Sequence, residues 1–405
     1  MTTPDPRETR SPDDREAALM QALRETVSGA RGDTSHYGAT LAAVDAATLE
    51  SRADLAALPV LRKSDLIALQ EQEPPFGGLA ANDAAAMTRL FLSPGPIAEP
   101  QTGGNPDAWR FSRALRAVGI GAGDIVHNCF SYHVTPAGFM MDGAARALGA
   151  AVFPGGVGNT STQVQAMNRF GATAYAGTPD YLKTILETAD EEQTPVTTVE
   201  KALVSGGPLF PALREWYDAR GIRVQQAYGT ADVGLIAYET EAMEGLIVDE
   251  DVIVEILRPG TGDPVAEGEV GEVVVTTFDA AYPMIRFATG DLSKVMPGHC
   301  PTGRTNMRLA GWMGRADQTT KVKGMFVHPE QVARVAKAHG LGKVRLEVTE
   351  SEGRDGMILL CEGGGDAAAV AETLNRECRL RGEVRFTGDE PLPNDGKVID
   401  DKRAL

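Results

Sequence analysis

Asp291 closes the run MIRFATGDL, Met284 to Leu292, so its carboxylate stands just after an apolar stretch and a Thr-Gly pair. There it can accept both hydroxyls of a ribose, or act as an ordinary turn or cap aspartate. Tyr228 and Gly229, in QQAYGTADVG, open a loop at another strand end, where an aromatic ring can stack on a base and glycine lets backbone approach. Gly206, Gly207 and Pro208, in SGGPLFPALREWY, have the composition of a tight turn. Arg315, in GRADQTTKVKGMFVHPEQV, is a permanent cation suited to ribose or phosphate oxygens. Lys397 sits on a Gly-Lys turn in LPNDGKVIDDKR, and a solvated lysine is its default reading.

These residues need a frame to hold them. From Asp107 to about Leu235 helical and short apolar runs alternate, with glycines where strand gives way to helix. That rhythm predicts a mainly parallel sheet covered by helices, with ligands at the carboxyl ends of its strands. DEDVIVEIL, GEVGEVVVTTF and MIRFATG follow without intervening helices and predict a largely antiparallel, β-rich subdomain. The last ninety or so residues predict a small α+β domain, in which Val370, Leu374 and Cys378 line the buried face of one helix. The expected division is a flexible tail over 1–14, an N-terminal domain over 15–313 and a mobile C-terminal domain over 314–405. The helix after the tail has apolar residues at helical spacing, Ala18, Leu19, Leu23 and Val27, and is expected to turn them inward.

Composition narrows the function. Of 405 residues 42% are hydrophobic and 23% charged, ordinary globular usage. Lys and Arg total 39 against 56 Asp and Glu, a net charge of -17, which disfavours nucleic-acid and anionic-membrane partners. Cys129, Cys300, Cys361 and Cys378 form no CxxC pair and read as reduced thiols. With no apolar leader at the N-terminus and no apolar run of membrane-spanning length, the expected location is cytoplasmic.

Read in order, the five segments Ser205–Tyr217, Gln225–Gly234, Met284–Leu292, Gly314–Val332 and Leu392–Arg403 resemble the signature segments of the adenylate-forming superfamily of acyl- and aryl-CoA synthetases. The phenylacetate-CoA ligase branch is the most similar, and weaker likeness extends over DLAALPVLRKSDL, GAAVFPGGVGNTSTQ and GTPDYL. The resemblance implies that Asp291 holds the ribose, that Tyr228, Gly206, Gly207 and Pro208 line the adenine, and that Arg315 meets ribose or phosphate. Thr230 stands one place early for the hydroxyl that relatives direct at the α-phosphate, because Ala231 occupies that place. The resemblance gives Lys397 the catalytic role of reaching the carboxylate and α-phosphate, and makes Asp317 the hinge of the small domain. Asp232, where relatives have a Glu, becomes a ligand for Mg²⁺. Phe130, Tyr132 and His133 would wall the acid pocket, with core packing as the alternative reading.

The implied reaction joins a small carboxylic acid, first an aryl or arylacetic acid, to ATP as acyl-AMP, and then to CoA or another acceptor. ATP, Mg²⁺ and coenzyme A are the implied cofactors, and assembly as a homodimer is left open. Two departures stand out. Relatives carry a Ser/Thr/Gly-rich loop ending in Gly-Lys-Pro around the β- and γ-phosphates; here the matching stretch is Ser93-Pro94-Gly95-Pro96-Ile97-Ala98-Glu99-Pro100. Its prolines offer no N–H, and Glu99 puts a carboxyl where a cation is expected. The zinc cluster of many relatives is reduced to His299 and Cys300, so no structural zinc is expected. The alternatives are therefore an ATP-independent acyl transferase or condensing enzyme on the same fold, or a non-catalytic nucleotide-binding relative.

Overall fold

The computed structural model describes residues 4–316, 318, 320–323, 325–351 and 354–403. They form two compact units. The first takes the described residues up to Val254 with Val275–Phe287 and Met296–Trp312; the second takes Glu255–Val274, Ala288–Val295 and the described residues from Met313 onward. The division does not fall at one point in the chain, because strands Val252–Leu257, Gly271–Thr277 and Phe287–Ser293 contribute residues to both units.

The first unit is built on the expected sheet. Five strands run parallel in the order Ala151–Pro154, Ile125–Asn128, Ala174–Gly177, Lys201–Val204 and Arg223–Thr230. The sheet continues antiparallel through Gly234–Glu239, Leu246–Val248 and Arg308–Leu309. Helices Ala137–Ala147, Thr160–Phe170, Pro179–Glu191 and Pro211–Asp218 make the crossovers. Because side chains alternate along a strand, Ala174 and Ala176 enter one buried cluster with Val126 and Leu203. Tyr175, Ala202 and Val204 enter a second, with Leu182 and Tyr217. Both faces are covered, and the loops after the parallel strands are left to carry chemistry.

Residues 4–14, expected to fray, are built into this unit. Pro6–Thr9 is a 3-10 helix, and buried Glu8 accepts from Arg304 Nε at 2.9 Å and from the Tyr238 hydroxyl at 2.9 Å. Ser11 caps helix Pro12–Asp33 by accepting from the Asp14 N–H at 3.0 Å. Leu19, Leu23 and Val27 are buried as their spacing predicts, while Ala18, at the edge of that face, is exposed. A charged segment reads as solvated until its counter-charge, here Arg304 nearly three hundred positions away, is known.

In the second unit Glu383–Phe386, Arg354–Cys361, Val344–Ser351 and Ile399–Asp401 form one sheet in that order, with helices Pro329–Ala338 and Ala367–Cys378. Val370, Leu374 and Cys378 enter its core beside Leu346 and Leu359. No helix among the described residues is long and apolar enough to cross a membrane.

Candidate functional site

In the first unit the loops of interest sit at the carboxyl ends of parallel strands. Gly206 follows Lys201–Val204 at φ +73°, a conformation that favours glycine, and a Cβ built there would stand 3.7 Å from Phe130 Cε1. Phe130 follows the strand Ile125–Asn128, and its N–H donates to Asn128 Oδ1 at 3.2 Å. The glycine turn and Phe130 thus meet. The other two expected pocket residues have contacts of their own. Tyr132 uses its hydroxyl internally, accepting from Asn128 Nδ2 at 2.7 Å and lying 3.2 Å from Asp142, and burial raises its pKa. His133 is exposed; its backbone N–H donates to Ser131 Oγ at 3.1 Å.

His127, one strand residue before Asn128, is buried and stacks on Phe153 with ring centroids 5.0 Å apart. Its Nε2 lies 2.5 Å from Gln163 Oε1, while Gln163 Nε2 donates to the carbonyls of Gly155, Gly156 and Gly158. Burial pushes the imidazole down to about 4, so a neutral ring holds the glycine loop in place.

Tyr228, Gly229 and Thr230 end the strand Arg223–Thr230 at a β-bulge, where Tyr228 pairs with Ala237 but Gly229 pairs with Leu235. A bulge re-aims side chains at a strand end. Gly229 has a packing reason to be glycine: a Cβ would come within 2.6 Å of Gly234 O and 2.9 Å of Phe111 Cζ. Thr230 Oγ1 accepts from the Val233 N–H at 3.3 Å, which leaves its hydroxyl proton free to donate.

The stretch matching the phosphate loop is a hairpin. Arg89–Ser93 pairs with Ile97–Gln101, Ser93 opposite Ile97, so only Pro94, Gly95 and Pro96 form the turn. Ser93 Oγ donates to Glu99 Oε1 at 2.7 Å. Glu99 is buried against Asp232; burial first and the Asp232 charge second push its carboxyl up to about 8, and it is largely uncharged at neutral pH. It therefore does not present the negative charge its position suggests. Lys63 Nζ lies 2.5 Å from Asp232 Oδ2, and the Asp232 side chain is 0% exposed. One Asp232 oxygen is taken by the Lys63 ammonium, and the other, Oδ1, is buried. Among the described residues no three His, Cys, Asp or Glu side chains are grouped to hold a metal ion. Cys300 is buried, with its Sγ 3.1 Å from Thr302 Oγ1.

The second unit holds the other expected residues. Arg315 Nη1 donates to Asp291 Oδ1 at 2.8 Å, and the two residues form a β-bridge. Gly290, at φ +76°, is the glycine of the Thr-Gly pair, and a Cβ there would stand 2.7 Å from Arg315 Nη2. Arg315 and Lys397 line one cavity of about 340 Å³ with Gln318, Thr320, Asp395 and Asp400. Lys397 Nζ lies 2.8 Å from Asp400 Oδ1. Its turn is held from below: Gln318 Nε2 donates to Gly396 O at 2.9 Å, Gln318 Oε1 accepts from the Ile399 N–H at 2.8 Å, and Arg345 pairs with Asp395. Lys397 also borders a second cavity, of about 600 Å³, with Arg258, Arg334, Lys337 and Lys343. The expected hinge, Asp317, lies outside the described residues.

Sequence reasoning missed Lys63, Gln318 and Arg345. Two carried a signal: Lys63 lies in the family-like segment DLAALPVLRKSDL, and Gln318 stands one place after the expected hinge.

The family described as AMP-binding enzyme matches residues 122–279. The chain is 31% identical over 344 residues to the phenylacetate-coenzyme A ligase of Aromatoleum evansii, covering 81% of this chain and 76% of that one. It is 30% identical over 315 residues to the phenylacetate-coenzyme A ligase of Thermus thermophilus, covering 73% and 69%. Among solved structures, 2-hydroxyisobutyryl-CoA ligase in the postadenylation state with 2-HIB-AMP matches with a TM-score of 0.73 at 23% identity, over 98% of this chain and 91% of that one. The same ligase with 2-HIB-AMP and CoA in the thioesterification state matches at 0.71 and 24%, with the same coverage. At such identity these structures bear on the fold.

Proposed function

The chain belongs to the phenylacetate-CoA ligase family, and on that premise we propose that it is an AMP-forming ligase that joins a small aryl or arylacetic acid to CoA. In the first step a carboxylate oxygen attacks the α-phosphorus of ATP, the bond to the pyrophosphate oxygen breaks, and acyl-AMP forms. In the second the CoA thiolate attacks the acyl carbon, the acyl–oxygen bond breaks and AMP leaves. Mg²⁺ would supply charge neutralisation to the triphosphate, and no residue of this chain is assigned to hold it.

The observation that carries the reading is the shared cavity of Arg315 and Lys397, with Asp291 hydrogen-bonded to Arg315. In the second unit Asp291 and Arg315 are assigned contacts to ribose and phosphate oxygens; in the first, Gly206 to Pro208 with Tyr228 and Gly229 are assigned contacts to adenine. The Lys397 ammonium exchanges Asp400 for the charge that builds on the phosphate and carboxylate during adenylation, where a fixed cation lowers the barrier. Rotation about Asp317 would withdraw Lys397 between steps. The cations of the larger cavity suit the phosphates of CoA.

A second reading rests on the hairpin Arg89–Gln101. With Ser93 committed to Glu99 and two prolines in a three-residue turn, little remains there to hold a triphosphate. The chain would then transfer an acyl group from a preformed adenylate or another activated acid, without cleaving ATP, or bind the nucleotide without catalysis. A screen of pyrophosphate release over aromatic and aliphatic acids, with and without CoA, tests the choice. Acid-dependent release with an aryl acid supports the ligase. No release with any acid, alongside CoA thioester formation from supplied acyl-AMP, supports the second reading.

A further inference from the structure

The turn after Thr230 carries a cation of its own. Asp232, two residues past Thr230, receives the Lys63 ammonium at 2.5 Å, and Lys63 comes from the 3-10 helix Lys63–Asp65, far away in sequence. Helix Leu66–Gln72 follows directly, so the backbone that carries Lys63 is fixed on its C-terminal side.

A divalent ion at Asp232 would have to compete with this pair. Mg²⁺ requires a nearly ideal octahedron of oxygens at about 2.0–2.1 Å and keeps several waters among them. The Asp232 side chain is fully buried, Lys63 holds Oδ2, and the Glu99 carboxyl, which Ser93 fixes at 2.7 Å, packs against Asp232 on its other side. An ion seated here would displace the ammonium or lie in contact with its like charge. Lys63 itself is not sealed in. An ammonium has three donors, Asp232 takes one, and the Lys63 side chain is 28% exposed.

We propose that Lys63 is the resident cation at the phosphate end of the nucleotide site, held by Asp232, and that its remaining N–H groups meet the phosphate beside Thr230 in place of a metal ion bound to Asp232. This rests on the nucleotide-binding reading above. It turns Asp232 into a positioning residue for Lys63 and Glu99 into the group that closes Asp232 to water.

Two measurements test it. Calorimetry with AMP reads the phosphate contact. Lys63→Met leaves a buried carboxylate without its counter-charge, so the Lys63→Gln/Asp232→Asn double variant, which removes both charges together, is measured beside it, with folding checked by circular dichroism. Loss of one charge-assisted hydrogen bond weakens AMP binding by about tenfold or more. Full AMP affinity in a folded double variant overturns the proposal. Electron paramagnetic resonance with Mn²⁺ reads the metal question without nucleotide. The wild-type protein is expected to show no bound Mn²⁺ that Asp232→Asn removes, and Mn²⁺ bound in the wild type and lost in Asp232→Asn overturns the proposal. If the wild type binds no AMP, the nucleotide reading fails on its own, and the Mn²⁺ measurement still decides what Asp232 holds.

Discussion

Arg315 lies over Gly290, and its guanidinium donates to Asp291 at 2.8 Å, so a cation from one segment is fixed on the carboxylate of another. The Thr-Gly pair before Asp291 is thereby explained by space as well as by backbone, since any side chain at 290 meets the guanidinium. Gly290→Ala is expected to cost about 1 kcal/mol of stability for a positive φ. It is also expected to weaken AMP binding by about tenfold by displacing Arg315. Calorimetry with AMP checks the second effect, and Asp291→Asn should reproduce it without the loss of stability.

Gln318 carries the Lys397 turn through both ends of its amide. Gln318→Ala should slow the adenylation half-reaction by about tenfold and leave thioester formation from supplied acyl-AMP within about twofold. Pyrophosphate exchange and CoA thioester assays on one preparation compare the two. Equal loss in both halves would assign Gln318 to general stability instead.

The pH dependence of stability has opposite contributions from two buried groups. Glu99, raised from 4.5 to about 8, keeps its proton in the folded state and loses it in the unfolded chain between those values. Its contribution is full below pH 4.5 and is lost as pH rises, at about 1.4 kcal/mol per pH unit. His127, lowered from 6.5 to about 4, acts in the other direction and destabilises the fold as pH falls below 6.5. Denaturant melts should therefore show wild type losing stability relative to Glu99→Gln as pH rises from 5 to 8. Relative to His127→Gln it should lose stability as pH falls from 6.5 to 4. Parallel profiles for wild type and Glu99→Gln would mean that Glu99 is ionised throughout.

Lys337 faces the larger cavity from helix Pro329–Ala338. Reversing its charge with Lys337→Glu should raise the KM for CoA roughly fivefold and leave acid-dependent pyrophosphate exchange unchanged. An unaltered KM would remove that cavity from the CoA path.

The parts of this site that were legible in the sequence are those in which one short segment holds both the residue and its setting. Lys397 follows a glycine at φ +73°, as its Gly-Lys pair predicts, whereas Asp291 lies inside the strand Phe287–Ser293 rather than after it, and Tyr228 and Gly229 are still within the strand Arg223–Thr230. The alternation of helix and strand through residues 107–235 likewise needs only neighbouring residues to be read. What could not be read depends on partners far along the chain. Lys63, Glu99 and Asp232 come together from three separate segments, and no pattern in any one of them announces the other two. The same holds for Glu8, which looks like part of a solvated tail until Arg304 and Tyr238 are placed against it. Gly229 carries a packing constraint that its own segment does not announce, since Gly234 and Phe111 approach it within reach of a Cβ. Tyr132 and His133 were expected in the acid pocket by resemblance, which gives no sign that the Tyr132 hydroxyl bonds to Asn128 and Asp142 or that Phe130 meets the glycine turn.

Lys397→Ala, assayed in the two half-reactions separately, tests the central claim most directly. The account predicts that acid-dependent pyrophosphate exchange falls by about a hundredfold or more, while CoA thioester formation from supplied acyl-AMP is retained. Pyrophosphate exchange at the wild-type rate in the folded variant would contradict it.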